Sequence, residues 1–223
     1  MEIGELLGVG RSADVYAIGD GRVLRRYRYE IDAGREAAVM AYVAGHGYPV
    51  PEVYLDESSA TDLVMGRLSG PTMLRALLDG EIGLDEGGRM LARLLRRLHE
   101  IPARVSGDPG DRILHLDLHP DNVMLTPHGP VVIDWCNTGE GPPARDCGLS
   151  ALIVAESAVN AERALAGQAR ELLVALITEL GDELDTGDAL DWAKAQRLAN
   201  PTLSERELAL LDEAVALIRR LRA

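Results

Sequence analysis

Hydrophobic residues change their spacing twice along the first half of this chain. Val15–Ile18 and Val23–Tyr27 are short apolar runs separated by Gly19-Asp20-Gly21, a pattern that predicts a β-hairpin. Residues 34–43 place Ala, Val and Met at helical spacing, and Gly45-His46-Gly47-Tyr48-Pro49 ends that helix. Val50–Leu55 and Leu63–Met65 read as two more strands. From Gly70 the spacing becomes mainly helical: Leu91, Leu94, Leu95 and Leu98 form one stripe that stops before Pro102. Ile113–Leu118 and Val131–Ile133 read as a further pair of short strands, and after Asp146 the pattern is helical almost to the end. Ser204 with Glu207 makes a capping box for the last helix, whose Arg219, Arg220 and Arg222 suit its negative end. The order predicts an α+β architecture: a small β-rich lobe with one helix over residues 1–67, then a mostly helical lobe over 68–223.

Composition narrows the function. The 223 residues carry a formal net charge of −13, which argues against nucleic acid and anionic membranes as partners, since both need a basic face. No apolar run approaches a membrane span, and the acidic start Met1-Glu2-Ile3-Gly4-Glu5 lacks a secretory pattern, so the expected location is cytoplasmic. Cys136 and Cys147 fit no metal-ligand spacing and read as free thiols. There is no phenylalanine, and Lys194 is the only lysine.

The densest chemistry lies in His115-Leu116-Asp117-Leu118-His119-Pro120-Asp121-Asn122, followed by Asp134 at the end of Val131-Val132-Ile133. Phosphoryl transfer asks the protein for a group that orients the attacking hydroxyl and for hard oxygen ligands to magnesium. Asp117, Asn122 and Asp134 supply that set. Other readings of the same residues are open. Asp and Asn also favour turns and caps. His115, Asp117 and His119 alternate, so on an extended segment they would share a face and suggest a hydrolase-type metal cluster.

The segment resembles the catalytic loop and metal-binding strand of the aminoglycoside phosphotransferase family, relatives of protein kinases, which carries H-x-D-x-x-x-x-N followed by a strand ending in I-D. The resemblance runs from about Leu6 to about Leu152. It implies a protein-kinase-like fold with the active site in the cleft between lobes, Asp117 as the catalytic base, and Asn122 and Asp134 as magnesium ligands. Gly8, Gly10, Ser12, Ala13 and Val15 correspond to the Gly-rich loop over the triphosphate, with Ala13 where the third glycine usually stands. Arg25 stands where the family has its phosphate-binding lysine, and Glu36 where that lysine has its carboxylate partner. Met65 and Arg67 fall on the hinge that holds the purine. His115 becomes a brace of the loop and His119 a neighbour of the site. Asp146 reads by default as a helix N-cap, and the resemblance also ties it to the catalytic loop.

The implied donor is ATP, with GTP as the other candidate, and the implied acceptor is a small-molecule hydroxyl. Aminoglycosides, other antibiotics, choline-like amines, sugars and amino-alcohols are all served by this fold. The acidic group Glu179, Asp182, Glu183, Asp185, Asp188 and Asp191 reads either as a solvated face or as a wall for an amine-bearing acceptor. Loss of the lysine and of the third glycine raises a rival from another class, a nucleotide-binding pseudokinase.

Overall fold

The computed structural model describes residues 3–10, 13–28, 32–160 and 163–223. By contact the chain divides into two units, residues 1–71 with 123–138 and residues 72–122 with 139–223.

The first unit is built on a four-stranded antiparallel sheet in sequence order, β1 (Leu6–Val9), β2 (Ala13–Ala17), β3 (Arg22–Tyr27) and β4 (Asp62–Gly66). The β2–β3 turn is the expected one. Gly19, Asp20 and Gly21 all take positive φ (81°, 50° and 68°), a region that glycine enters freely and aspartate tolerates. Helix α1 (Ala33–Gly45) is capped by the Asp32 side chain, which accepts from the Arg35 N–H at 3.1 Å. The predicted strand over Val50–Leu55 is not formed. Val53 makes a single bridge to Met65, and Leu55–Glu57 turns into a short 3-10 segment. Pro49 and Pro51 flank Val50 and have no N–H to give a ladder, which explains the interruption.

A second hairpin, β6 (Val123–Thr126) with β7 (Gly129–Val132), completes this unit. Gly70, at φ 129°, lies against it so closely that an added Cβ would come 2.0 Å from the Leu125 carbonyl oxygen. Only glycine fits there.

The second unit is helical: α2 (Met73–Leu78), α3 (Leu84–Leu98), α4 (Pro143–Asn160), α5 (Arg163–Leu180), α6 (Asp188–Leu198) and α7 (Glu205–Arg222). The predicted stripe Leu91, Leu94, Leu95 and Leu98 is buried. Helices α3 and α5 cross closely at Gly88, where a Cβ would stand 2.6 Å from that of Ala175. Helix α4 is central and packs against α5, α6 and α7. The capping box of Ser204 and Glu207 opens α7. A short antiparallel pair, β5 (Arg112–Leu114) with β8 (Gly139–Gly141), supports the loop that carries Asp117. The predicted strand Ile113–Leu118 is therefore shorter than expected. Leu116 takes φ 61° and breaks the extended run. Among the described residues no helix is long and apolar enough to cross a membrane.

Candidate active site

Sheet register in the first unit sets one row of predicted residues side by side. Val15 pairs with Gly8 on one flank and Arg25 on the other, and residues directly opposite each other in a sheet project from the same face. Gly10 donates its N–H to the Ala13 carbonyl at 2.8 Å, closing the β1–β2 loop. Ser12, the remaining predicted member of that loop, lies outside the described residues. On the proposed hinge, Met65 pairs with Val23. The Gly66 and Arg67 N–H groups are committed to the carbonyls of Glu52 (2.8 Å) and Gly21 (2.7 Å).

Arg25 is buried and forks to two carboxylates. Its Nη1 lies 3.2 Å from Glu36 Oε1 and its Nη2 lies 2.6 Å from Asp134 Oδ1, while the guanidinium stacks over the Tyr27 ring at 5.0 Å. Glu36 Oε1 also accepts the Trp135 N–H at 3.0 Å, but Glu36 Oε2 is buried with no hydrogen-bond partner. Burial raises the Glu36 carboxyl; Arg25 pulls it down, Asp134 pushes it up, and the outcome is a pKa of about 7. Asp134 itself sits at φ 64° directly before the fully buried Trp135, whose indole N–H donates to the Val132 carbonyl at 3.0 Å. Two carboxylates thus share one guanidinium.

In the second unit the loop around Asp117 is fixed from behind. Asp146, fully buried, lies in the first turn of α4. Its carboxylate caps none of the helix's own N–H groups, contrary to the default reading. Instead Oδ2 accepts the His115 N–H at 2.9 Å and Oδ1 accepts the Leu116 N–H at 2.8 Å. A third donor, His99 Nε2, reaches Oδ2 at 3.1 Å. Burial alone would raise the Asp146 carboxyl; the His99 hydrogen bond and charge, with His115 and its N–H, hold it below the ordinary 3.8. Beyond Leu116 the loop curls into a 3-10 turn over Pro120–Asn122, where Asn122 Nδ2 donates to the Asp117 carbonyl at 2.8 Å. That bond fixes the amide's orientation. His119 Nε2 stands 3.9 Å from Asp117 Oδ1, and its Nδ1 accepts the Asp121 N–H at 3.3 Å.

The extended geometry that a His115, Asp117 and His119 metal cluster would need is absent, because Leu116 is left-handed and a turn follows. Among the described residues no group of three or more His, Cys, Asp or Glu is placed to hold a metal. Asn122 carries an amide oxygen and Asp134 a carboxylate, donor types that a hard divalent cation takes, and they belong to different units. The acidic group is largely spent on partners. Glu179 and Glu183 hold Arg96 (2.9 and 2.8 Å), Asp182 holds Arg222 (2.7 Å), and Asp191 holds Arg219 (2.8 Å). Asp185 accepts the Gly187 and Ala189 N–H groups.

Residues 4–113 and 108–176 match the model of the phosphotransferase enzyme family. Streptomycin 6-kinase of Streptomyces griseus is 28% identical over 190 residues, which cover 65% of this chain and 58% of that protein. The chain thus spans less than two thirds of that relative. Among solved structures, a choline/ethanolamine kinase family protein from Mesorhizobium loti superposes with a TM-score of 0.59 at 21% identity, over 99% of this chain and 88% of that one. The gentamicin complex of APH(2")-IIa gives 0.58 at 13% identity, over 99% and 92%. At these identities the likeness concerns the fold, which is the protein-kinase-like α+β fold.

Proposed function

This chain belongs to the phosphotransferase enzyme family, and from that premise we propose that it moves the γ-phosphoryl group of ATP to a hydroxyl of a small, amine-bearing alcohol. The observation that carries the reading is the loop in which Asn122 is tied to the Asp117 carbonyl while the Asp117 carboxylate is left one-quarter exposed. A carboxylate held on a rigid loop and open to solvent is what a hydroxyl acceptor requires. Asp117 receives the hydrogen bond of that hydroxyl and takes its proton as the new O–P bond forms and the bond to the leaving diphosphate breaks. Asn122 and Asp134 would hold Mg²⁺, which would supply positive charge against the phosphate oxygens. Arg25 reaches the phosphates, with Glu36 as its counter-charge. Residues 8–13 cover the triphosphate, and Met65–Arg67 lie along the purine. Nucleotide binding is assigned to residues 1–67, and catalysis with acceptor binding to 68–223. The amine on the acceptor rests on the relatives, one named for streptomycin and one for choline and ethanolamine.

A coupled assay of diphosphate release over a panel of hydroxylated amines, sugars and antibiotics tests this. Acceptor-dependent release, with ATP and with GTP compared as donors, is the expected result. Tight Mg-nucleotide binding without release for any acceptor would leave the pseudokinase reading. One observation favours that rival: Arg25 Nη2 engages Asp134 Oδ1 at 2.6 Å, on a carboxylate assigned to the metal. Where release is found, Arg25→Lys separates a kinase adapted to arginine from a weakened one. Retention of part of the activity marks a kinase adapted to arginine, and a many-fold faster variant marks a natural protein that is partly disabled.

A further inference from the structure

We infer that Arg145, stacked on Trp192, is an oxyanion-binding element that takes a carboxylate or phosphate group borne by the acceptor; this rests on the phosphotransferase reading above and narrows its substrate. The chain is acidic, with 36 Asp and Glu against 23 Lys and Arg. In the second unit the arginines are accordingly drawn into ion pairs: Arg89, Arg93, Arg96, Arg197, Arg219 and Arg222 each hold a carboxylate. Arg145 is the exception. It is half-buried, yet among the described residues its guanidinium makes no ion pair and no hydrogen bond.

The side chain is nonetheless held in place. Its guanidinium carbon lies 5.0 Å from the centroid of the Trp192 ring on α6. It also runs along β8, where a Cβ added at Gly141 would stand 3.4 Å from Arg145 Nη1 and 4.0 Å from Arg145 Cδ. A guanidinium stacked on an aromatic ring has a face covered while its N–H edge stays open in the plane, and that edge is the fork that matches a carboxylate or a phosphate. Because stacking has already ordered the long side chain, less rotamer entropy remains to be lost when an anion arrives. The element is also fixed to the support of the proposed base. Arg145 directly precedes Asp146, which binds the His115 and Leu116 N–H groups, and Gly141 pairs with Arg112 at the head of the strand that runs into that loop. An acceptor whose hydroxyl meets Asp117 and whose anionic group meets Arg145 is oriented at two points. The acidic group of this unit is largely spent on its own partners, so the charge left over for recognition is this cation. The acceptor class is then a hydroxylated amine that also carries an oxyanion.

Trp192 supplies the first readout, because the other tryptophan, Trp135, is fully buried and belongs to the other unit. Titrating the full chain with acetate and with inorganic phosphate, against chloride at constant ionic strength, should change its tryptophan emission saturably. Arg145→Gln should abolish that change, and Arg145→Lys, which keeps the charge without the fork, should weaken it. The second readout is kcat/KM over pairs of hydroxylated amines that differ only in a carboxylate or a phosphate. Wild type should prefer the anionic member on the order of 10-fold or more, the strength of a hydrogen bond between charged groups, and Arg145→Gln should erase the preference. No saturable change with either anion, or an equal change in wild type and Arg145→Gln, would overturn the site. A response to the free anions with no preference among acceptors would overturn its assignment to the acceptor. If no acceptor is ever phosphorylated, the transfer reading fails, while the titration still decides whether Arg145 binds an oxyanion.

Discussion

Asp146 and Glu36 are both carboxylates withdrawn from water, at 0% and 2% relative exposure, and each stands behind a residue assigned to chemistry. Asp146 receives three donors, two on Oδ2 and one on Oδ1, and its carboxyl is held below its usual range. Glu36 has two donors on Oε1 and none on Oε2, and burial lifts it to about 7. The difference lies in the supply of partners rather than in depth. Asp146 meets groups whose only task is to hold it. Glu36 shares its guanidinium with Asp134, so that charge is divided between two carboxylates. One region is satisfied and stiff. The other leaves one buried carboxylate oxygen, Glu36 Oε2, without a donor.

The largest expected effect probes what the stiff region holds up. Asp117→Asn should lower transfer on the order of 10²–10⁴-fold, because the amide cannot take the hydroxyl proton. Thermal stability and Mg-ATP affinity should stay near wild type, since the loop is held by its backbone and by Asp146. Steady-state kinetics at saturating acceptor, with calorimetry for the nucleotide, checks both halves. Near-normal turnover would remove Asp117 from its role.

Asp146→Ala should be the costliest change to stability. It strands two buried N–H groups and the His99 donor at once, and breaking a buried charged network of this kind costs about 3–5 kcal/mol. Urea denaturation at neutral pH measures it. A loss below about 1 kcal/mol would place the burden of the loop elsewhere and weaken the contrast with Glu36.

Local chemistry was legible in the sequence, and partners distant along the chain were not. The Gly19-Asp20-Gly21 turn, the leucine stripe of α3 and the Ser204–Glu207 box are each decided within a few residues, and all three are found. The run Ile113–Leu118 looked extended because its apolar alternation is real. What ends the strand is a carboxylate thirty residues on that pulls the Leu116 N–H into a left-handed turn. Asp146 invited a capping role by standing just after two prolines, while its bonds go to the loop. The Asp117, Asn122 and Asp134 spacing was readable because it is short-range. Arg25's second partner, Asp134, lies 109 residues away, and no periodicity encodes that clasp.

The smallest effect is the most direct test of the contrast, because the two carboxylates should respond to pH with opposite sign. Asp146 is depressed in the fold, so its contribution is present above its unfolded value near 3.8 and is lost as pH falls through the folded value. Glu36 is raised from 4.5 to about 7, so it works the other way. The fold binds its proton more tightly than the unfolded chain does. The associated stability is complete below about 4.5 and drains away as pH climbs through 7. The full span of that shift corresponds to on the order of 3 kcal/mol, reduced to the extent that Arg25 re-pairs with the ionised form. Glu36→Gln keeps the size and the acceptor for Trp135 but has no proton to lose. Its melting temperature should therefore vary less than that of wild type between pH 5 and 8.5, with the two curves converging at the acid end. Added Mg²⁺ supplies a second source of positive charge and should flatten the wild-type curve in the same direction. Parallel curves for wild type and Glu36→Gln would mean that Arg25 alone satisfies both carboxylates, and the cluster would then be as settled as the Asp146 anchor.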